Sequence, residues 1–142
     1  MLQDLFEWLF GASKPDKDKI KRIFISFAIE DKKYRDFLVS QAKNSKTPFD
    51  LIDMSVKEPW PEKEWKIKCR QKIKKYDSMI VLLSRNLWHS SDARWEIKCG
   101  REERIRMIGM HVKKGDKGAI PPELYDKKII EWSWDNLEKF LN

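Results

Sequence analysis

Glycine and cysteine are both scarce here, with five and two residues in a chain of 142, and their scarcity removes several function classes. The two cysteines, Cys69 and Cys99, have neither the number for a disulfide framework nor the spacing of a metal knuckle, which suits a reducing, cytoplasmic setting. Two histidines, His89 and His111, have no second pair beside them, so no metal site is expected; His89 reads as a loop residue and His111 as a satisfied strand-end histidine. No apolar run approaches the roughly 18 residues that cross a bilayer. Repeats and low-complexity tracts are missing too, which excludes a solenoid.

Charge and aromatic rings are plentiful. Thirty Lys and Arg against 23 Asp and Glu leave +7, and seven tryptophans fall in 142 residues. A basic balance permits an anionic partner without demanding one. With 41% hydrophobic residues, the chain fills one ordinary core rather than two.

Residues 1–12 read as an amphipathic helix, because Leu2, Leu5, Phe6, Leu9 and Phe10 recur at helical spacing with acids on the other side. Acidic residues on its polar face disfavour a membrane interface and favour docking or self-association. Residues 13–20 read as a polar linker. From residue 21 to 142 apolar runs alternate with helical patterns: "KRIFISF", "PFDLIDMSV", "SMIVLLS", "MIGMHV" and "KIIEW" as strands. Between them "EDKKYRDFLVSQAKNS" places Tyr34, Phe37, Leu38 and Ala42 on one helical face, and "EKEWKIKCRQKIKKY" aligns Trp65, Cys69, Ile73 and Tyr76. "DARWEIKCGREER" is the third helix, and a short one carrying Leu137, Phe140 and Leu141 ends the chain. Continuous apolar strands call for helices on both sheet faces. The expected fold is therefore α/β, a flavodoxin-like, doubly wound, five-stranded and mostly parallel sheet of order 2-1-3-4-5.

Such sheets bind ligands beyond the carboxyl ends of their strands, at the point where strand order reverses. Ser26, Phe27 and Ala28 are delivered there after strand one, and Ser84 after strand three, with Asp53 and His111 flanking. The usual occupants fit poorly. "SFAIED" has no glycine for a flavin or dinucleotide phosphate loop, and Ser84 stands where a phosphoryl receiver needs its acceptor carboxylate. Cys69 and Cys99 read as structural thiols. What stands out is Glu96 in "SSDARWEIKCG", expected in the first turn of a helix at the lip of the sheet, with Asp92 as the cap.

"RIFISFAIEDKKYRDFL", "FDLIDMSVKEPWPEKEW", "MIVLLSRNLWHSSDARWEI" and "IEWSWDNLEKFL", taken in order, resemble the TIR-like family of prokaryotic antiviral defence, of the Thoeris sensor type. The resemblance runs from about Arg22 to Asn142, and "VLLS" followed by "RWEI" is its most specific part. It implies cleavage of NAD at the nicotinamide–ribose bond and release of a cyclic ADP-ribose type signal that activates a downstream effector. NAD would be substrate rather than cofactor, and an infection-derived, phage trigger would start the reaction. Glu96 matches the family's catalytic glutamate. The chemistry is consistent with one carboxylate: positive charge develops on the ribose as neutral nicotinamide leaves, and an ionised carboxylate near the diol stabilises it. A helix N-terminus would keep that group charged.

Trp60, Trp88 and Trp95, with Phe27, are candidates to stack on the bases, although packing between helices explains such rings equally well. Pro59 and Pro61 bracket Trp60 and stiffen that loop, making it a flap or a contact surface for another copy. The basic helix "KIKCRQKIKK" spreads its charge around the exposed side, so a solvated face is favoured and nucleic acid is an unfavoured partner. A non-catalytic TIR-like adaptor is the alternative to an NAD-consuming enzyme.

Overall fold

A computed structural model describes residues 21–43, 49–50 and 61–141. Five strands form one sheet: β1 (Lys21–Ser26), β2 (Phe49–Asp50), β3 (Ser78–Leu83), β4 (Arg106–His111) and β5 (Lys128–Glu131), in the order β2-β1-β3-β4-β5. Every pairing is parallel, with Ile25 opposite Ile80, Ile80 opposite Ile108, and Ile108 opposite Lys128. All carboxyl ends therefore share one edge, where Ser26, Leu83, His111 and Glu131 end their strands.

Period-two side-chain alternation splits the strands between two apolar cores. Ile23 and Ile25 of β1, Ile80 and Leu82 of β3, and Ile108 and Met110 of β4 face one core. Phe24, Met79, Val81, Leu83 and Met107 face the other. Because both faces are apolar, the central strands β1, β3 and β4 carry continuous hydrophobic runs. Helices α1 (Lys32–Lys43) and α4 (Trp134–Leu141) close the first core with Leu38, Ala42, Leu137 and Phe140. Helices α2 (Glu62–Ile73) and α3 (Ser91–Glu102) close the second with Cys69, Ile73, Ala93, Ile97 and Cys99.

Trp65, Cys69, Ile73 and Tyr76 meet the second core together, as their spacing implies. The first helix departs from its expected face. Leu38 and Ala42 are buried and Tyr34 and Val39 pack against them, but Phe37 is 64% exposed. At about 100° per residue, the centre of the buried stripe lies between the 34/38/42 row and Val39. Phe37 falls on its far side.

Among the described residues, no helix is long and apolar enough to cross a membrane. The amphipathic helix and linker expected for residues 1–20 lie outside the described residues, as do Asp53 and Trp60.

Candidate functional site

Helix α3 begins two residues earlier than an Asp92 cap would place it, because Ser90 takes the cap. Its hydroxyl accepts the backbone N–H of Ala93 at 3.2 Å, the bond that satisfies an orphan donor of the first turn. Asp92 is thus not the cap; it sits within the first turn, where its charge complements the helix dipole. The earlier start also moves Glu96 into the second turn. The dipole's pull falls off within the first turn, so packing and hydrogen bonding rather than the helix end define the Glu96 environment.

That environment is closed. Glu96 is 1% exposed. Ser26, completely buried at the carboxyl end of β1, donates its hydroxyl to Glu96 Oε1 at 3.0 Å and lies 3.2 Å from the Ala93 carbonyl. On the other oxygen, the Cys69 thiol of α2 approaches Oε2 at 3.9 Å. Burial pushes the Cys69 thiol up, and the adjacent Glu96 carboxylate pushes it further. Cys69 is therefore a thiol donor beside the carboxylate, not a nucleophile. Burial likewise pushes Cys99 up, to about 11. Both cysteines are free and buried, in keeping with structural thiols.

A second carboxylate–hydroxyl pair lies along the same sheet edge, and the sequence pattern does not single it out. Asp31 closes the 3-10 turn Ile29–Asp31 that follows β1 and is 2% exposed. Ser84, just past β3, donates its hydroxyl to Asp31 Oδ2, and the Asn86 side-chain amide donates to Oδ1 at 3.0 Å. The Asn86 backbone N–H in turn donates to Ser84 Oγ at 3.0 Å. In sequence Asp31 sits in a polar run, "EDKK", indistinguishable from a solvated helix start. The signal available was its place immediately after β1, at the point where strand order reverses.

Asp31 joins two segments that wall a cleft of about 220 Å³, lined by Ile29 and Glu30 on one side and by Asn86 and His89 to Asp92 on the other. Glu96 and Ser26 lie outside that lining. The loop after β4 buttresses the same edge. Asp116 accepts the Arg85 backbone N–H at 2.7 Å, the Gly115 carbonyl accepts the Arg85 guanidinium at 3.2 Å, and Gly118 packs against the Ser84 carbonyl.

The remaining sequence candidates divide. Phe27 is 3% exposed within the first core, with the Arg35 guanidinium 5.6 Å from its ring centre, so it is core rather than a free stacking platform. Trp95 does not reach the cleft: its ring lies 5.3 Å from that of Trp65 at 52°, between α2 and α3, flanked by Lys66 and Arg70. Trp88, in the turn Leu87–His89, is half-buried with Arg94 4.8 Å from its ring centre. His89 lines the cleft. His111 is not the satisfied strand-end histidine expected: it is buried, yet its Nδ1 has no hydrogen-bond partner. No cluster suited to a metal ion occurs among the described residues. The basic helix α2 is partly neutralised, Lys66 by Glu62 at 2.9 Å and Arg70 by Glu103 and Glu102 at 2.8 and 3.1 Å.

Comparison with solved structures places the fold. The crystal structure of the TIR domain of the Toll-related receptor TRR-2 from Hydra magnipapillata superposes with a TM-score of 0.57 at 14% identity, covering 84% of this chain and 90% of that one. No curated protein sequence matches. Residues 24–117 match the TIR-like domain of the Thoeris protein ThsB, a stretch running from β1 through the cleft to the loop after β4. With more than half its length inside that match, the chain belongs to the Thoeris ThsB family of TIR-like domains.

Proposed function

We propose that this TIR-like domain cleaves NAD at the nicotinamide–ribose bond and releases a cyclic ADP-ribose type signal for a downstream effector, with Glu96 as the catalytic carboxylate. The observation that carries this reading is the placement of Glu96, whose carboxylate is held through Oε1 by Ser26 at the carboxyl end of β1 where strand order reverses. In the reaction the C1′–N bond breaks and its electron pair returns to the nicotinamide ring, which leaves neutral. The ribose gains oxocarbenium character, which a carboxylate at the diol stabilises. Water or an adenine nitrogen then takes the vacated carbon.

Ser26 fixes one carboxylate oxygen, and the Cys69 thiol, a weak donor, approaches the other. Substrate hydroxyls are stronger donors than a thiol, so the ribose diol would displace Cys69 from Oε2. Ser84 shapes the adjoining edge through Asp31. Asp53, Trp60 and Trp88 are the proposed base and ribose contacts. Self-association of the domain, an infection-derived trigger and a cytoplasmic setting complete the reading.

The test replaces Glu96 by Gln, which keeps size and removes charge. Nucleotides from infected cells are then compared by mass spectrometry between the parent chain and Glu96→Gln. Loss of NAD consumption and of a cyclic product in the variant is the expected result; unchanged turnover overturns the assignment.

One observation favours a second reading. Glu96 is 1% exposed and does not line the 220 Å³ cleft, the arrangement of an interaction module whose carboxylate is structural. In that case Glu96→Gln and the parent chain give the same nucleotide profile, and both pull down the same partners.

A further inference from the structure

At the opposite edge of the sheet, where β4 and β5 begin, lies a cavity of about 160 Å³ with a chemically distinct lining. Its floor is apolar and buried: Ile108, Ile130 and Phe140. Its rim carries three cations, Arg106, Lys128 and Lys139, and no carboxylate.

Strand register explains how the sequence assembles it. Arg106 and Ile108 share one face of β4, Lys128 pairs with Ile108 across the ladder, and Ile130 follows on the same face. The last turn of α4 closes the cavity with Lys139 and Phe140. Elsewhere on the molecule several guanidinium groups are matched, Arg70 by Glu103, Arg94 by Glu123 and Arg101 by Asp126. Around this cavity they are not. Among the described residues, none of Arg106, Lys128 and Lys139 forms an ion pair.

Arg106 is nonetheless held in place, its guanidinium 4.4 Å from the centre of the Phe140 ring. A cation–π contact fixes a guanidinium plane and leaves its N–H edge free to donate. The carbonyl end of α4 opposes an anion with roughly half an elementary charge. Three full positive charges outweigh it.

We propose that this cavity is a binding site for a small organic anion, a phosphate or carboxylate group carried on a compact apolar body. The anionic head would sit among Arg106, Lys128 and Lys139, and the apolar body over Ile108, Ile130 and Phe140. The site is independent of Glu96 and of the edge assigned to NAD, so each proposal stands or falls without the other.

Phenyl phosphate, benzoate, inorganic phosphate and neutral phenol serve as probes in a ¹H–¹⁵N NMR titration of the full chain. Phenyl phosphate or benzoate is expected to shift amides of residues 106–108, 128–130 and 136–140 in a saturable way, and the stronger of the two identifies the head group. Lys128→Gln and Arg106→Gln are each expected to weaken that binding about tenfold, with the rest of the spectrum unchanged. A spectrum that collapses in Arg106→Gln is bypassed by Lys139→Gln, whose side chain is exposed. Equal shifts with phenol, shifts scattered over the basic surface, no saturable shift, or undiminished binding in the lysine variants would each overturn the proposal.

Discussion

The Ser26 hydroxyl and the Glu96 carboxylate, seventy residues apart in sequence, meet at 3.0 Å with both side chains almost wholly buried. A hydrogen bond to a charged acceptor contributes about 1.5–3 kcal/mol, and a buried carboxylate left without it bears its desolvation cost. Ser26→Ala is therefore expected to destabilise the fold by about 2 kcal/mol, from this bond and the Ala93 carbonyl contact together. If the proposed NAD cleavage at Glu96 holds, Ser26→Ala should also lower NAD turnover more than NAD binding, since it loosens the carboxylate and leaves the cleft lining intact. Urea titration measures the first effect and steady-state kinetics the second. A kcat equal to that of the parent would show that Ser26 does not position Glu96 for chemistry.

Asp31 makes a parallel case on the neighbouring loop. It accepts from the Ser84 hydroxyl and the Asn86 amide, and so ties the turn after β1 to the segment after β3. Asp31→Ala leaves a buried hydroxyl and a half-buried amide without their acceptor, at about 1–3 kcal/mol. Asp31→Asn keeps one acceptor oxygen for one of the two donors. Urea midpoints are thus expected in the order parent, Asp31→Asn, Asp31→Ala. The cleft between Ile29 and His89 should become more accessible to hydrogen exchange in the same order. Coincident midpoints for all three would mean that the network carries no net stability.

Much of this was legible in the sequence, because both cores are written into the strands. "IFI" and "MIVLL" are apolar at every step for the plain reason that each successive side chain enters one core or the other. The catalytic candidate was legible as a position but not as a depth. "RWEI" places Glu96 beside the sheet edge, yet its burial depends on Ser26 and Cys69, which reach it from β1 and α2. Two good capping residues two positions apart, Ser90 and Asp92, compete for the start of α3, and only the backbone path decides between them. Asp31 was legible only as a position after β1 and not as a bonded group, because its partners are more than fifty residues away. The aromatics misled in the opposite sense: Trp95 follows the helix register into a contact with Trp65, and Phe27 into the core, whatever a ligand would have preferred.

The two thiols link stability to pH. Burial raises both Cys69 and Cys99 above their ordinary range, Cys99 to about 11. The unfolded chain ionises its thiols near 8.5, so above that pH the unfolded state holds fewer protons than the folded one. Stability is then complete below about pH 8.5 and falls as pH rises toward 11. Cys69→Ala and Cys99→Ala should each flatten part of that decline while costing some packing at neutral pH. Iodoacetamide at pH 7.5 should leave both residues unmodified in the folded protein and label both in urea, read by intact mass. Rapid labelling of the folded chain would contradict the closed environment around Glu96.

Gly118 sets the last constraint on the sheet edge. Its φ is +56°, a left-handed conformation that side chains with a Cβ adopt at a cost, and a Cβ there would come 2.4 Å from the Ser84 carbonyl oxygen. Backbone cannot yield as a flexible side chain can, so Gly118→Ala must lift the loop away from Ser84. The bonds from Arg85 to Asp116 and Gly115 are three and fewer residues from that pivot and would be strained with it. A loss of about 1–3 kcal/mol is expected, with hydrogen exchange quickening at the Arg85 amide before anywhere in β4. By contrast Gly115, whose Cβ would meet nothing within 4 Å, should accept alanine with a change inside about 0.5 kcal/mol. If the two substitutions lower the melting midpoint equally, close approach to Ser84 is not what requires glycine at position 118.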